Sequence, residues 1–337
     1  MSIGKDNTSR PHVHILAMGG TIAGVAPRAD QMSGYKAGSL TVQTLIDAVP
    51  ELNDIADVTG EQVCAIGSQN LNDSDLIRLA KCTNDALAAP DVTAVVVTHG
   101  TATLEESAYF LNLTVKSKKP VVFVGAQRPA TAISADGPLN LLNAVRLAID
   151  PQSAGKGVLI AMNDMFGGAR EITKTNTTNV STFKSFELGV FGYMAVGQNW
   201  FVNQSLKKHT YQTEFDIHAI DELPRVDIVY SHVNADRVPY DSAVNAGAKG
   251  IVIAGTGNGA FHNQEWSGIV DAIKNGVTVV RSSRIPCGPV TFNHKEWADA
   301  GMIHSGTLNP QKARILLQLA LIHAKNRADI QRIFNEY

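Results

Sequence analysis

Alternation constrains this chain more than any other feature. Short β-branched apolar runs recur along it, separated by helix-length segments with apolar residues at helical spacing. Residues 13–18, 94–98, 120–124 and 157–162 are runs of this kind, and 226–230, 250–254 and 277–280 repeat it later. Such runs read as strands buried on both faces. The segments 103–113, 138–149 and 266–273 carry the helical pattern between them. Strand and helix in alternation imply right-handed crossovers, and therefore mainly parallel sheets flanked by helices. The expected class is α/β.

The chain has 337 residues, enough for two domains of ~100–200 residues each. A polar stretch without clear period, Lys207-Lys208-His209-Thr210-Tyr211-Gln212-Thr213-Glu214, interrupts the pattern before strands resume at Val226. This predicts a larger N-terminal domain over 1–203, a linker over 204–224 and a smaller C-terminal α/β domain over 225–337. Near the end, Asn309-Pro310 opens an amphipathic pattern running to Ala324, which predicts a helix.

Composition narrows the function classes. The chain is 44% hydrophobic and 18% charged, as in ordinary globular proteins, with a net charge of −2. No broad basic surface for nucleic acid is expected. No apolar run approaches the ~20 residues of a membrane span. The first eleven residues are polar and lack the apolar core of a signal peptide, so the chain reads as cytosolic or as one whose signal has been replaced. The cysteines Cys64, Cys82 and Cys287 show no CxxC and no metal-ligand spacing, and Cys64 reads as a buried structural thiol. No metal and no cofactor are expected.

In open parallel sheets, ligands bind at the carboxyl ends of the strands. The most polar, glycine-punctuated loops of the N-terminal half follow the expected strands. They are Gly19-Gly20-Thr21-Ile22-Ala23-Gly24, Gly67-Ser68-Gln69-Asn70, His99-Gly100-Thr101-Ala102-Thr103, Gly125-Ala126-Gln127-Arg128-Pro129 and Asn163-Asp164, the last reaching Thr173-Lys174-Thr175-Asn176. Taken singly, each has a plain reading: a tight turn, an N-cap or a solvated lysine. Jointly they point to a site for a small polar ligand.

Two of these strings carry a resemblance. Gly19-Gly20-Thr21-Ile22-Ala23-Gly24 is similar to the first signature of the asparaginase family, and Thr98-His99-Gly100-Thr101-Ala102-Thr103-Leu104-Glu105-Glu106 to its second, except at one position. Supporting strings are Ser134-Ala135-Asp136-Gly137, Gly255-Thr256-Gly257-Asn258-Gly259 and Ser305-Gly306-Thr307-Leu308-Asn309-Pro310. From about His12 to Tyr337 the chain resembles the bacterial type II L-asparaginases. The resemblance implies hydrolysis of L-asparagine to L-aspartate and ammonia through an acyl-enzyme. Thr21 resembles the nucleophile, Tyr35 the lid tyrosine beside it, and Thr101 with Lys174 the second hydrogen-bonded catalytic group. Ser68 and Gln69 resemble the grip on the substrate's α-carboxylate and α-amino ends, and the backbone at Ala126 the region meeting the side-chain amide. The segment 25–38 reads as the mobile lid. Asn258 and Glu296 resemble residues reaching in from an adjoining subunit, Glu296 with loose spacing, and this implies a homotetramer with sites at subunit interfaces. Gln69 after Ser68 tilts preference toward asparagine, with L-glutamine weaker. The compartment implied is periplasmic or secreted, cytoplasmic being the alternative. Ser117 stands where some relatives place a disulfide cysteine, which weakens the case for an oxidising compartment.

The departure is Ala102, where the family's second signature carries an aspartate. By resemblance, that carboxylate binds the substrate's α-ammonium and belongs to the Thr101–Lys174 group. Its loss removes a charge-assisted contact of ~1.5–3 kcal/mol and an anionic neighbour of Lys174. With every neighbouring signature residue intact, this reads as an inactivating or substrate-trapping substitution, a natural variant with altered substrate choice being the rival. Other readings are a binding protein for asparagine or aspartate, a dual glutaminase-asparaginase, or another amidohydrolase on this fold. A nicotinamide oxidoreductase would rest on Gly255-Thr256-Gly257-Asn258-Gly259 alone, and Arg281 stands where an acidic residue should close the next strand. The chain has no Gly-x-Ser-x-Gly elbow and no His-Glu-x-x-His pair.

Overall fold

The computed structural model of the chain describes residues 10–32, 34–292 and 294–337. The chain divides into two compact units. The first comprises the chain up to Leu104, then Ser117–Lys184 and Val190–Ser205; the second comprises Glu105–Lys116, Ser185–Gly189 and Leu206–Tyr337.

In the first unit the strands are β1 (His12–Gly19), β2 (Asp57–Ile66), β3 (Val92–Thr98), β4 (Val121–Val124), β5 (Val158–Met162), β6 (Met165–Gly168), β7 (Thr173–Lys174), β8 (Phe183–Lys184), β9 (Gly192–Ala195) and β10 (Gln198–Phe201). Eight of them form one sheet in the order β10-β9-β6-β5-β4-β3-β1-β2, while β7 and β8 form a separate antiparallel pair. The five strands β1 to β5 are parallel; β6, β9 and β10 extend the sheet antiparallel. The expected mainly parallel, helix-flanked sheet is therefore present, with an antiparallel extension that the short, glycine-bearing runs did not announce.

The helices of this unit are α1 (Val42–Asp47), α2 (Leu52–Ile55), α3 (Asp73–Ala88) and α5 (Gly137–Ile149), with α4 (Leu104–Thr114) starting where the chain leaves it. Successive strand residues point to opposite faces. Val13, Ile15 and Ala17 therefore share one core with Val96 and Val122, closed by Leu45 and Ile46 of α1 and Leu141, Ala144 and Val145 of α5. Leu16 and Met18, pointing the other way, are equally buried. Each such side chain contributes ~1.5–3 kcal/mol, so a strand like β3, buried at six of its seven residues, has no exposed face to vary. The edge strand β2 is different: most of its residues are exposed. Cys64 lies on it and is only partly buried, not fully as expected. Its thiol donates to the Met18 carbonyl at 3.2 Å.

The second unit holds an all-parallel sheet in the order β11 (Val226–Tyr230), β12 (Gly250–Gly255), β13 (Thr278–Ser283) and β14 (Ile303–His304). Its other helices are α6 (Val238–Asn245), α7 (Trp266–Lys274), α8 (Lys295–Asp299), α9 (Pro310–His323) and α10 (Arg327–Glu336). Helix α9 begins as its sequence predicts, with the Asn309 side chain accepting from Lys312 N–H and proline in the first turn. Residues 206–224, expected within a linker, lie in this unit. There Phe215 and Ile217 are fully buried around the 3₁₀ turns Thr210–Gln212 and Ile217–Ala219.

Candidate active site

Strand order decides where a site forms. β1 lies between β2 and β3, so the connections leaving β1 and β3 run to opposite sides, and a crevice opens at their carboxyl ends. The loops after β1, β2, β3 and β4 all border it. They line a cavity of about 850 Å³, within the size range of small-molecule sites.

Close backbone approach sets the geometry of the rim. Gly20 has φ +81°, and a Cβ there would stand 2.2 Å from the Gly100 Cα. A Cβ on Gly100 would stand 2.7 Å from Ser68 Oγ. Only glycine permits three loops to meet so tightly. The contact brings Thr21, Ser68 and Thr101 onto one cavity. Ser68 is buried and tied in twice: its Oγ accepts from Thr103 N–H at 3.3 Å, and its carbonyl accepts from the Thr103 hydroxyl at 2.9 Å.

Two hydrogen-bonded pairs face the cavity. The Thr21 and Tyr35 hydroxyls lie 2.7 Å apart. Lys174 Nζ donates to Thr101 Oγ1 at 2.8 Å. Lys174 comes from the small β7–β8 pair, and burial pushes its pKa below the ordinary lysine value. Ala102 is exposed beside Thr101 and presents only a methyl group to the cavity.

The segment 25–38 returns Tyr35 to Thr21. Val25 N–H donates to the Lys36 carbonyl at 3.1 Å, Ala26 N–H to Thr131 Oγ1 at 2.9 Å and Ile133 N–H to the Ala29 carbonyl at 2.9 Å. The segment is thus anchored at its base and along one side; Ser33 within it lies outside the described residues.

Of the residues singled out from the sequence, Thr21, Tyr35, Ser68, Gln69, Thr101, Ala102 and Lys174 all line this cavity. The Ala126 side chain instead packs in the core, and its neighbours Gln127 and Arg128 form the lining. Both of their N–H groups donate to the Asp136 carboxylate at 2.9 Å, which fixes the loop after β4. Asn258 and Glu296 belong to the second unit and are not among the lining residues; both are exposed there. Of the other lining residues, Gln127 and Arg128 lie in a loop expected at the rim and Asp30 and Met32 in the expected lid, all without an assigned role, whereas Ile133, Thr177 and Thr178 were not anticipated. The polar loop Gly125-Ala126-Gln127-Arg128-Pro129 and the motif Ser134-Ala135-Asp136-Gly137 were the sequence signals for this wall. Among the described residues, no group of three or more His, Cys, Asp or Glu side chains could hold a metal ion.

Known proteins are similar to this chain along nearly its whole length. Residues 12–208 match the family model described as Asparaginase, N-terminal, and 225–334 match the Glutaminase/Asparaginase C-terminal domain. L-asparaginase 2 of Bacillus subtilis (strain 168) is 52% identical over 327 residues, covering 97% of this chain and 87% of that protein. L-asparaginase 2 of Escherichia coli (strain K12) is 50% identical over 328 residues, covering 97% and 93%. The crystal structure of a probable cytoplasmic L-asparaginase from Campylobacter jejuni superposes with a TM-score of 0.95 at 44% identity, covering 97% of this chain and all of that one.

Proposed function

This chain belongs to the asparaginase family, and from that premise we propose that its cavity performs two-step hydrolysis of L-asparagine, at a rate held down by Ala102. Thr21 Oγ attacks the side-chain amide carbon. The hydroxyl proton leaves with the amide nitrogen as ammonia, and an aspartyl ester forms on Thr21. Water then attacks the ester, returning a proton to Thr21 and releasing L-aspartate.

The observation that carries this reading is the convergence of the Thr21–Tyr35 and Thr101–Lys174 pairs on one cavity. A hydroxyl is a weak nucleophile unless a neighbour accepts its proton. Tyr35 stands at hydrogen-bond distance from Thr21, and the lowered pKa of Lys174 favours its neutral, proton-accepting form. Closure of the Tyr35 segment over the ligand would exclude water during acylation. Ser68 and Gln69 supply the polar wall that grips the α-carboxylate and α-amino groups.

Without a carboxylate at position 102, the α-ammonium loses its charged anchor there. In this reading Asn258 and Glu296 of an adjoining copy complete the ammonium site in a homotetramer, and the N-terminal portion over 1–203 carries the reacting residues. Glutamine is the slower substrate: one extra methylene gives only ~1–3 kcal/mol of discrimination. The compartment is read from the resemblance as periplasmic or secreted, whereas the Campylobacter relative is a probable cytoplasmic L-asparaginase.

The test is ammonia release from L-asparagine by this chain beside Ala102→Asp, with L-glutamine in parallel. Turnover should rise by orders of magnitude in the substituted chain. Equal, fast rates would show that Ala102 is a working solution and that the ammonium-anchor account is wrong. Tight L-aspartate binding with no turnover in either chain would favour a binding protein.

A further inference from the structure

Arg281 lies in β13, paired with Ile253 of β12 and His304 of β14, and is only 3% exposed. A buried guanidinium is usually matched by a carboxylate. Here, among the described residues, no acidic group offsets its desolvation, and burial pushes its pKa down to about 10. Its donors go to backbone carbonyls instead. Nη1 donates to Asn258 O at 3.3 Å and to Gly259 O at 3.5 Å, and Nη2 donates to Thr291 O at 2.7 Å. Its Cζ lies over the Trp297 ring, 4.7 Å from the centroid.

These partners have one thing in common. Asn258 and Gly259 lie in the loop after β12, Thr291 lies in the segment after β13, and Trp297 follows Glu296 in α8. The Asn258 side chain is clamped by the same neighbours: its Oδ1 accepts from Thr291 N–H at 2.9 Å, and its Nδ2 donates to Thr291 Oγ1 at 3.1 Å. One guanidinium therefore holds the backbone on both sides of this clamp and supports the helix bearing Glu296. A planar fork with donors in several directions and a stacking face suits that task, and a lysine point charge does not.

We infer that Arg281 is a positioning residue, setting the presentation of Asn258 and Glu296 to the ligand of an adjoining subunit. The inference rests on the proposed role of those two side chains, so its test must separate the two failures. The readout is L-aspartate binding by calorimetric titration, on the full chain carrying Ala102→Asp. Asn258→Ala is expected to weaken binding about tenfold, the scale of one lost polar contact. Arg281→Met keeps the stem but removes every donor, and it should weaken binding at least as much. Because Arg281 acts through the placement of Asn258 and Glu296, the double variant should bind no worse than Arg281→Met alone.

If Asn258→Ala weakens binding while Arg281→Met does not, or if the two effects multiply, Arg281 has no positioning role and the adjoining-subunit reading survives. If Asn258→Ala and Glu296→Gln both leave binding unchanged, that reading fails and takes the inference with it. Should Arg281→Met not fold, Arg281→Lys replaces it in the same cycle. Binding by Arg281→Lys equal to that of its parent would overturn the inference.

Discussion

At the scale of single residues, environment decides protonation. Lys174 is held near a hydroxyl, and burial lowers its pKa. As the pH falls through that lowered pKa, the amine becomes an ammonium and can no longer accept a proton, so kcat/KM should fall on the acid side. A carboxylate beside an amine favours the charged form. Ala102→Asp should therefore move this limb to higher pH even as it raises the rate. Full pH profiles of both chains check this, and coincident limbs would remove Lys174 from the reading. His99 makes a separate prediction, about stability. It is fully buried, its Nδ1 lies 2.7 Å from the Gly100 carbonyl, and burial lowers its pKa from 6.5 to about 4. The folded chain then binds fewer protons than the unfolded chain between those values. Stability is complete above pH 6.5 and is lost as the pH falls toward 4, by about 3 kcal/mol from this group. Urea titrations across that range should show His99→Asn with a flatter acid limb than the parent.

At the scale of elements, the loops matter more than the strands they follow. The Gly20–Gly100 approach joins the turn after β1 to the loop after β3, and with them the two threonines. Gly20→Ala combines a left-handed φ with a backbone clash. It should cost at least ~2 kcal/mol of stability and lower turnover by misplacing Thr21. Chemical denaturation with a parallel ammonia assay measures both, and a fully stable, unimpaired variant would contradict the geometry described. Helix ends, by contrast, are locally encoded. Asn72 and Asp75 form a reciprocal capping box at the start of α3, within four residues of one another.

At the scale of the molecule, the second unit contains a buried ion pair between elements far apart in sequence. Lys312 of α9 and Glu105 of α4 are 2% and 8% exposed at their side chains and lie 3.6 Å apart. Glu105 also accepts from Asn309 Nδ2 and Gln311 Nε2. Removing one member leaves the other charged and buried, so Lys312→Met should destabilise the protein by ~3–5 kcal/mol. Pairing it with Glu105→Gln should recover part of that loss. A double variant as unstable as Lys312→Met alone would argue that packing, not charge, is what Lys312 supplies.

Local pattern made much of this readable in advance. Runs such as Ala94-Val95-Val96-Val97 are apolar throughout because a central parallel strand is covered on both faces. The polar loops after them had to share an edge, since parallel strands end on the same side. Five of the ten expected site residues, Thr21, Ser68, Gln69, Thr101 and Ala102, follow those strands and line the cavity. The antiparallel strands β6, β9 and β10 stayed hidden because four residues with glycines or a lone tryptophan show no measurable period. The sequence by itself thus determined which segments are buried and which loops carry polar groups, since both depend on neighbours a few residues apart. Only the tertiary structure placed β1 between β2 and β3, pressed Gly20 against Gly100, and brought Tyr35 to Thr21 and Lys174 to Thr101. Those contacts depend on packing between segments as far apart in the chain as Gly20 and Gly100, which local periodicity does not encode.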